Sequence, residues 1–365
     1  MAITMAAVMM LLGGSFTGFG VSPSYGAGEK AADYPNYVDR QIVVVFDDDV
    51  DRASAADIVA FALSEEMISE KRSSTGGIKG IRESLKLTKI KTDDNMMLVS
   101  FKTGVNVGAA AKEIARNPDV AYAQPNYIYT LSKGRSGGTE YDREQYLKFV
   151  DAAKARRLLD KQKENGKVTV ALLDTGVSEN DEALKGVDAV STNRDEASDG
   201  HGTEMASLVA KTAGKDNVKL LAVDVCDGNS SYGGKTVTTT TDIVAGIDYA
   251  SKHDAQIVAM AFGSHGYDHA LAKKMKRAAK GDILFIAAGD NDDEATWYPA
   301  DYKSCMSSKA TDIISPDYGA AVTAGTAAMV MRADAGLSAV KTRAILAKAA
   351  KGKGSARKAV SKALK

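Results

Sequence analysis

The stretch that constrains the chain most runs from Val168 to Val209. It opens with VTVALLDTGV, an apolar run rich in Val and Leu that ends on Asp174-Thr175-Gly176. A run of this kind reads as a strand buried on both faces of a parallel sheet, and it delivers its terminal carboxylate to the sheet edge. The stretch closes with DGHGTEMASLVA, where His201-Gly202-Thr203 comes just before a short helix. Met205, Leu208 and Val209 lie at helical spacing and give that helix a face to bury. A carboxylate at a strand end and an imidazole at a helix start can work together. The carboxylate fixes the tautomer through one ring nitrogen, and the other nitrogen serves as general base. Taken singly, an Asp before Gly is an ordinary turn residue, and a lone His is an ordinary structural group.

Together and in this order the two motifs resemble the subtilisin-like serine proteases, in which the catalytic Asp lies in D-[ST]-G and the catalytic His in H-G-T. The resemblance implies hydrolysis of a peptide bond through an acyl-enzyme, with His201 as general base and acid, Asp174 orienting it, and a polypeptide as substrate. Aspartic proteases also use D-T-G, but they need two such motifs. This chain has no second D-T-G or D-S-G, and H-G-T has no role in that mechanism.

The remaining composition narrows the class. A chain of 365 residues suffices for two or three domains. Basic and acidic residues balance at 47 each, which gives no argument for nucleic acid or for an acidic partner overall. Cys226 and Cys305 can form one bridge at most and sit in no metal-ligand cluster, so a disulfide scaffold is excluded and neither metal nor cofactor is expected. Residues 1–27 read as a secretory signal: Ala6 to Gly20 is mostly apolar and small, and SPSYGAG follows. The run is too short and Gly-rich for a membrane span, and the protein is expected to be secreted or at the cell surface.

Residues 37–131 read as a small ferredoxin-like α+β unit. Strands are expected at 40–46, 95–101 and 119–129, helices at 53–67 and 107–116, and a Ser/Gly-rich loop at 73–80. By position, and by the segment VAYAQPNYIY, the unit resembles the inhibitor propeptide of subtilases, whose closing strand normally carries Glu where Gln124 stands. The resemblance implies that the chain's own propeptide fills the cleft. Residues 132–145 form a polar linker, and 146–365 a shortened subtilisin-like domain. In that domain a basic helix at 143–165 leads into the Asp174 strand. Strand and helix then alternate through KLLAVDV, a helix at 242–252, QIVAMAFGS, a helix at 267–279 and ILFIAAGDN. Such alternation predicts a doubly wound parallel sheet with Asp174, Ser264 and Asp290 at strand carboxyl ends, where chemistry gathers.

The resemblance also has gaps. The loop after the His201 helix is only KTAGKDN, too short for the cation site that relatives often carry there; the acidic run Asp290, Asp292, Asp293 and Glu294 offers ligands for a cation but reads better as a solvated loop. Asp290 takes the place of the family's oxyanion-stabilising Asn, and an ionised carboxylate cannot donate to an oxyanion. The family's G-T-S-M-A motif is absent. AVTAGTAAMVM (321–331) resembles the helix that follows the nucleophile, and DIISPD (312–317) resembles a strand that normally lies upstream of it. Ungapped alignment from that helix puts Asp317 at the serine position, where it reads as a helix cap. Ser315 is the nearest hydroxyl, restricted by Pro316. The expectation is a degenerate member that binds a peptide or a partner protease; the alternative is an active endopeptidase using a rebuilt serine such as Ser315. Residues 337–365 carry nine Lys or Arg and no acid, a solvated basic face or a weak attraction to an anionic cell surface.

Overall fold

The computed structural model describes residues 37–47, 50–69, 85–89, 95–102, 105–131, 140–160, 166–178, 181–192, 200–232, 235–289, 296–308, 315–350 and 353–365. The expected signal at 1–27, the loop at 73–80, most of the linker, Asp290 and the acidic run after it lie outside these residues.

The first part is a four-stranded antiparallel sheet with two helices. Its elements are β1 (Tyr37–Phe46), α1 (Arg52–Ser69), β2 (Leu85–Lys89), β3 (Met96–Phe101), α2 (Val107–Ile114) and β4 (Val120–Leu131). The strand order β2-β3-β1-β4 is that of the expected ferredoxin-like unit. Period-two alternation divides β1 and β3 between two cores. Ile42, Val44, Met97 and Val99 pack on α1 and α2, whereas Val43, Val45, Met96 and Leu98 face the rest of the molecule.

Two short helices follow, α3 (Glu140–Phe149) and α4 (Ala152–Leu159). The single basic helix expected over 143–165 is broken at Asp151, whose φ of 59° is left-handed and cannot continue a helix. The parallel sheet comes next, with β5 (Val168–Asp174), β6 (Asp188–Ser191), α5 (His201–Ala213) and β7 (Val218–Asp224). A hairpin of β8 (Cys226–Tyr232) and β9 (Lys235–Thr239) then interrupts the alternation before α6 (Thr240–Lys252). The sheet continues with β10 (Ile257–Met260), the two-residue β11 (Phe262–Gly263), α7 (His269–Lys280), β12 (Leu284–Ala288) and β13 (Cys305–Ser308). The chain then runs through α8 (Pro316–Ala333), α9 (Ala339–Ala349) and α10 (Ser355–Ala363).

Six parallel strands stand in the order β13-β12-β10-β5-β7-β6. Along β5, Val168, Val170 and Leu172 face α4, α5 and α8, while Ala171 and Leu173 face α6 and α7, so helices cover both faces. This is the doubly wound architecture expected from the alternation. Among the described residues, no helix is long and apolar enough to cross a membrane.

Candidate functional site

The carboxyl end of β5 puts Asp174 at the sheet edge, 1% exposed. The two motifs then lock into each other through their threonines. Thr175 Oγ1 accepts from Gly202 N at 3.0 Å, and Thr203 Oγ1 accepts from Ser178 N at 2.9 Å. Gly202 is needed for this fit, because a Cβ there would overlap the carbonyl oxygen of Gly176. Gly200, at φ 73°, turns the chain into α5, so that His201 is the first helical residue.

Helix α8 reaches the same place from the other side. It crosses α5 closely at Gly325, where a Cβ would lie 2.6 Å from Thr212 Cβ. The close approach brings the first turns of the two helices together. Ser315 is the N-cap residue and Pro316 takes the first helical position, a favoured place for proline. Ser315-Pro316-Asp317 opens a helix, while residues 312–314, compared from sequence with a strand, lie outside the described residues. One sequence expectation is corrected here. Asp317 is no cap: it lies inside the first turn, 2% exposed, and faces the imidazole.

The result is a carboxylate on each side of one histidine. His201 Nδ1 stands 2.8 Å from Asp174 Oδ1, and Nε2 stands 3.5 Å from Asp317 Oδ2. Asp174 Oδ1 also accepts from Thr175 N at 2.8 Å. Burial acts against the charged imidazolium, but Asp174 and Asp317 outweigh it and push the pKa of His201 up to about 10. The two carboxylates gain in turn from the N-terminal ends of α5 and α8, where helix dipoles favour negative charge. At neutral pH the ring therefore carries both protons, and an imidazolium cannot accept a third.

A second cluster flanks the first. Glu204, one turn along α5, pairs with Arg143 of α3. Tyr318, next to Asp317, donates to Glu204 Oε2 at 2.9 Å, and Arg143 Nη1 lies 3.3 Å from the same hydroxyl. No sequence signal marks this cluster, because its three members are far apart in the chain and follow no motif.

The far end of β4 lies between β9 and β11. Ile128, Tyr129 and Thr130 pair antiparallel with Thr239, Thr238 and Val237 of β9, and Leu131 pairs with Phe262 of β11. Ser264 follows directly and exchanges backbone hydrogen bonds with Tyr298, each 2.8 Å long. The segment that sequence compared with a closing propeptide strand is thus held as an extended chain in a groove.

Of the residues singled out from sequence, Asp174 and His201 are in contact. Ser315 stands two residues before Asp317, and its buried Oγ has no hydrogen-bond partner among the described residues. Asp290 lies outside them. Cys226 and Cys305 are both buried and are not joined by a disulfide.

Residues 165–315 match the Subtilase family, and residues 70–126 match the Fervidolysin N-terminal prodomain. A thermophilic serine proteinase of Bacillus sp. (strain AK1) is 28% identical over 61% of this chain and 56% of its own. A cell wall-associated protease of Bacillus subtilis (strain 168) is 29% identical over 56% of this chain and 25% of its own. The crystal structure of fervidolysin from Fervidobacterium pennivorans, a keratinolytic enzyme related to subtilisin, superimposes with a TM-score of 0.62 at 15% identity, over 90% of this chain and 60% of that one. The chain spans little more than half the length of the first relatives it matches, 56%, 57% and 54%.

Proposed function

The chain belongs to the subtilase family with a fervidolysin-like prodomain, and from that premise we propose that it is a secreted pseudoprotease, one that holds a polypeptide or a partner protease without cutting it. The observation that carries this reading is Asp317, whose carboxylate faces His201 Nε2 at 3.5 Å. Acyl transfer needs a hydroxyl or thiol there and an imidazole free to take its proton. A carboxylate supplies neither, and it holds the imidazole charged. Losing a triad nucleophile leaves only about 10³–10⁴-fold acceleration over water in well-formed active sites.

Polypeptide recognition is supported by the groove between β9 and β11. It takes an extended strand through backbone hydrogen bonds, which is sequence-tolerant recognition by strand addition. Its occupant here is the chain's own β4. Secretion is supported by the apolar residues near the start of the chain and by a relative described as cell wall-associated.

One observation favours a second reading, an active endopeptidase using Ser315: its Oγ is buried at the N-terminus of α8 with no hydrogen-bond partner among the described residues. Incubating the purified protein with casein and following its own mass separates the two. The pseudoprotease leaves casein intact and stays uncut between Leu131 and Glu140. Casein fragments that disappear in both His201→Ala and Ser315→Ala variants establish the second reading instead.

A further inference from the structure

Strand β4 carries polar side chains into a buried place, and their partners there are specific. Gln124, Asn126 and Tyr129 are 4%, 1% and 0% exposed. The amide of Gln124 is used at both ends. Its Nε2 donates to Asp268 Oδ1 at 2.8 Å, and its Oε1 accepts from Ala270 N at 3.1 Å. Asp268 is the fully buried N-cap of α7. Its carboxylate also accepts from Leu271 N at 2.9 Å, Thr240 Oγ1 at 2.6 Å and Tyr129 OH at 3.0 Å. All four donors are neutral, and two of them come from β4.

Asn126 does for α6 what Gln124 does for α7. Its Oδ1 accepts from Thr241 N at 3.3 Å, while its Nδ2 donates to Gln41 Oε1 at 2.8 Å. The first N–H groups of a helix have no acceptor within the helix. Here the prodomain strand supplies acceptors to two helices of the subtilase body. The same interface is closed by apolar contact, since Val43, Val45, Met96 and Leu98 share a core with α6 and α7.

We propose that Gln124 and Asp268 form a matched donor–acceptor pair that makes the body selective for its own prodomain strand. The position opposite Asp268 needs one donor and one acceptor in a single planar group, which an amide provides. A carboxylate at position 124 still accepts from Ala270 N, but its other oxygen meets Asp268 Oδ1 within hydrogen-bonding distance in a buried site. Two carboxylates so placed cannot both ionise. A prodomain strand carrying Glu at this point is therefore rejected by a body carrying Asp at 268. The pairing holds whether or not the linker is cut, and whether or not the His201 site is inert.

The test uses the full chain with Gln124→Glu, Asp268→Asn and the double variant, each with a specific protease site placed in the linker. Thermal midpoints are measured from pH 4 to 9. Gln124→Glu is expected to melt below the parent by a margin that grows as pH rises above about 4.3, the ordinary Glu pKa. Below that pH the protonated acid donates to Asp268 as the amide did. The double variant is expected to recover part of that loss at pH 7, because an amide nitrogen at 268 then donates to the carboxylate at 124, although in that place it no longer accepts from Leu271 N. After the linker is cut, the two pieces of the parent and of the double variant stay together in size-exclusion chromatography, and those of Gln124→Glu part at least about tenfold more readily, the factor for 1.4 kcal/mol. A Gln124→Glu deficit that is flat with pH, no recovery in the double variant, or equal retention of the cut pieces overturns the proposal. If Gln124→Glu fails to fold at pH 7, the double variant decides alone.

Discussion

Replacing Asp317 with Asn tests the electrostatics of the site with almost no change in shape. The carboxylate lies 3.5 Å from Nε2 and is 2% exposed, so solvent screens it little. An opposite charge this close shifts a titrating group by about one to three pKa units, worth about 1.4 kcal/mol per unit. With both carboxylates present, His201 titrates at about 10. In Asp317→Asn it should titrate at roughly 7–9. The sign for stability follows from linkage. A pKa raised from 6.5 to about 10 contributes stability that is full below about pH 6.5 and is lost as pH rises through 10. In Asp317→Asn that loss is smaller and is complete at lower pH. Nitrogen-detected NMR of histidine-labelled protein gives the pKa directly, and with four histidines in the chain a His201→Gln variant assigns the signal. A parent value near 6.5, or one unmoved by Asp317→Asn, would refute the argument that two charges hold the ring protonated.

Three further outcomes follow from the same geometry. Asp317→Ser puts a hydroxyl beside Nε2 and removes the charge that keeps the ring protonated, so it should gain slow labelling by a fluorophosphonate where the parent has none; absence of labelling would mean that the first turn of α8 is not where a nucleophile acts. Gly202→Ala should lower stability by about 1–3 kcal/mol or more, read as a lower denaturant midpoint, because its Cβ meets the Gly176 carbonyl and the motifs must separate. Arg143→Ala leaves Glu204 and Tyr318 without their cation and should destabilise the protein mildly, by about 0–1 kcal/mol given the partial exposure of the pair; a loss above about 3 kcal/mol would show a buried network instead.

The sheet and its helices were legible because parallel strands buried on both faces leave long apolar runs, as in β5, β7, β10 and β12. Elements with weaker patterns escaped. The edge strands β6 and β13 are four residues each, and the hairpin of β8 and β9 is made largely of Gly, Ser and Thr. Asp174 and His201 could be read together because each sits in a motif with its own backbone logic: Gly202 for close approach and Thr175 for the interlock. Alignment puts Asp317 in the right place but not in its role, since an acid in the first turn of a helix has the same local signature whether it serves the dipole or faces an imidazole. The Gln124–Asp268 pair was visible only as a departure from a family habit, because its partner lies 144 residues away.

Intact-mass spectrometry after prolonged exposure to a fluorophosphonate at pH 7–8 asks whether any hydroxyl beside His201 is reactive. An unchanged mass is expected of the parent protein; one added phosphonyl group that maps to a single serine, and is lost when His201 is replaced, would overturn the pseudoprotease reading.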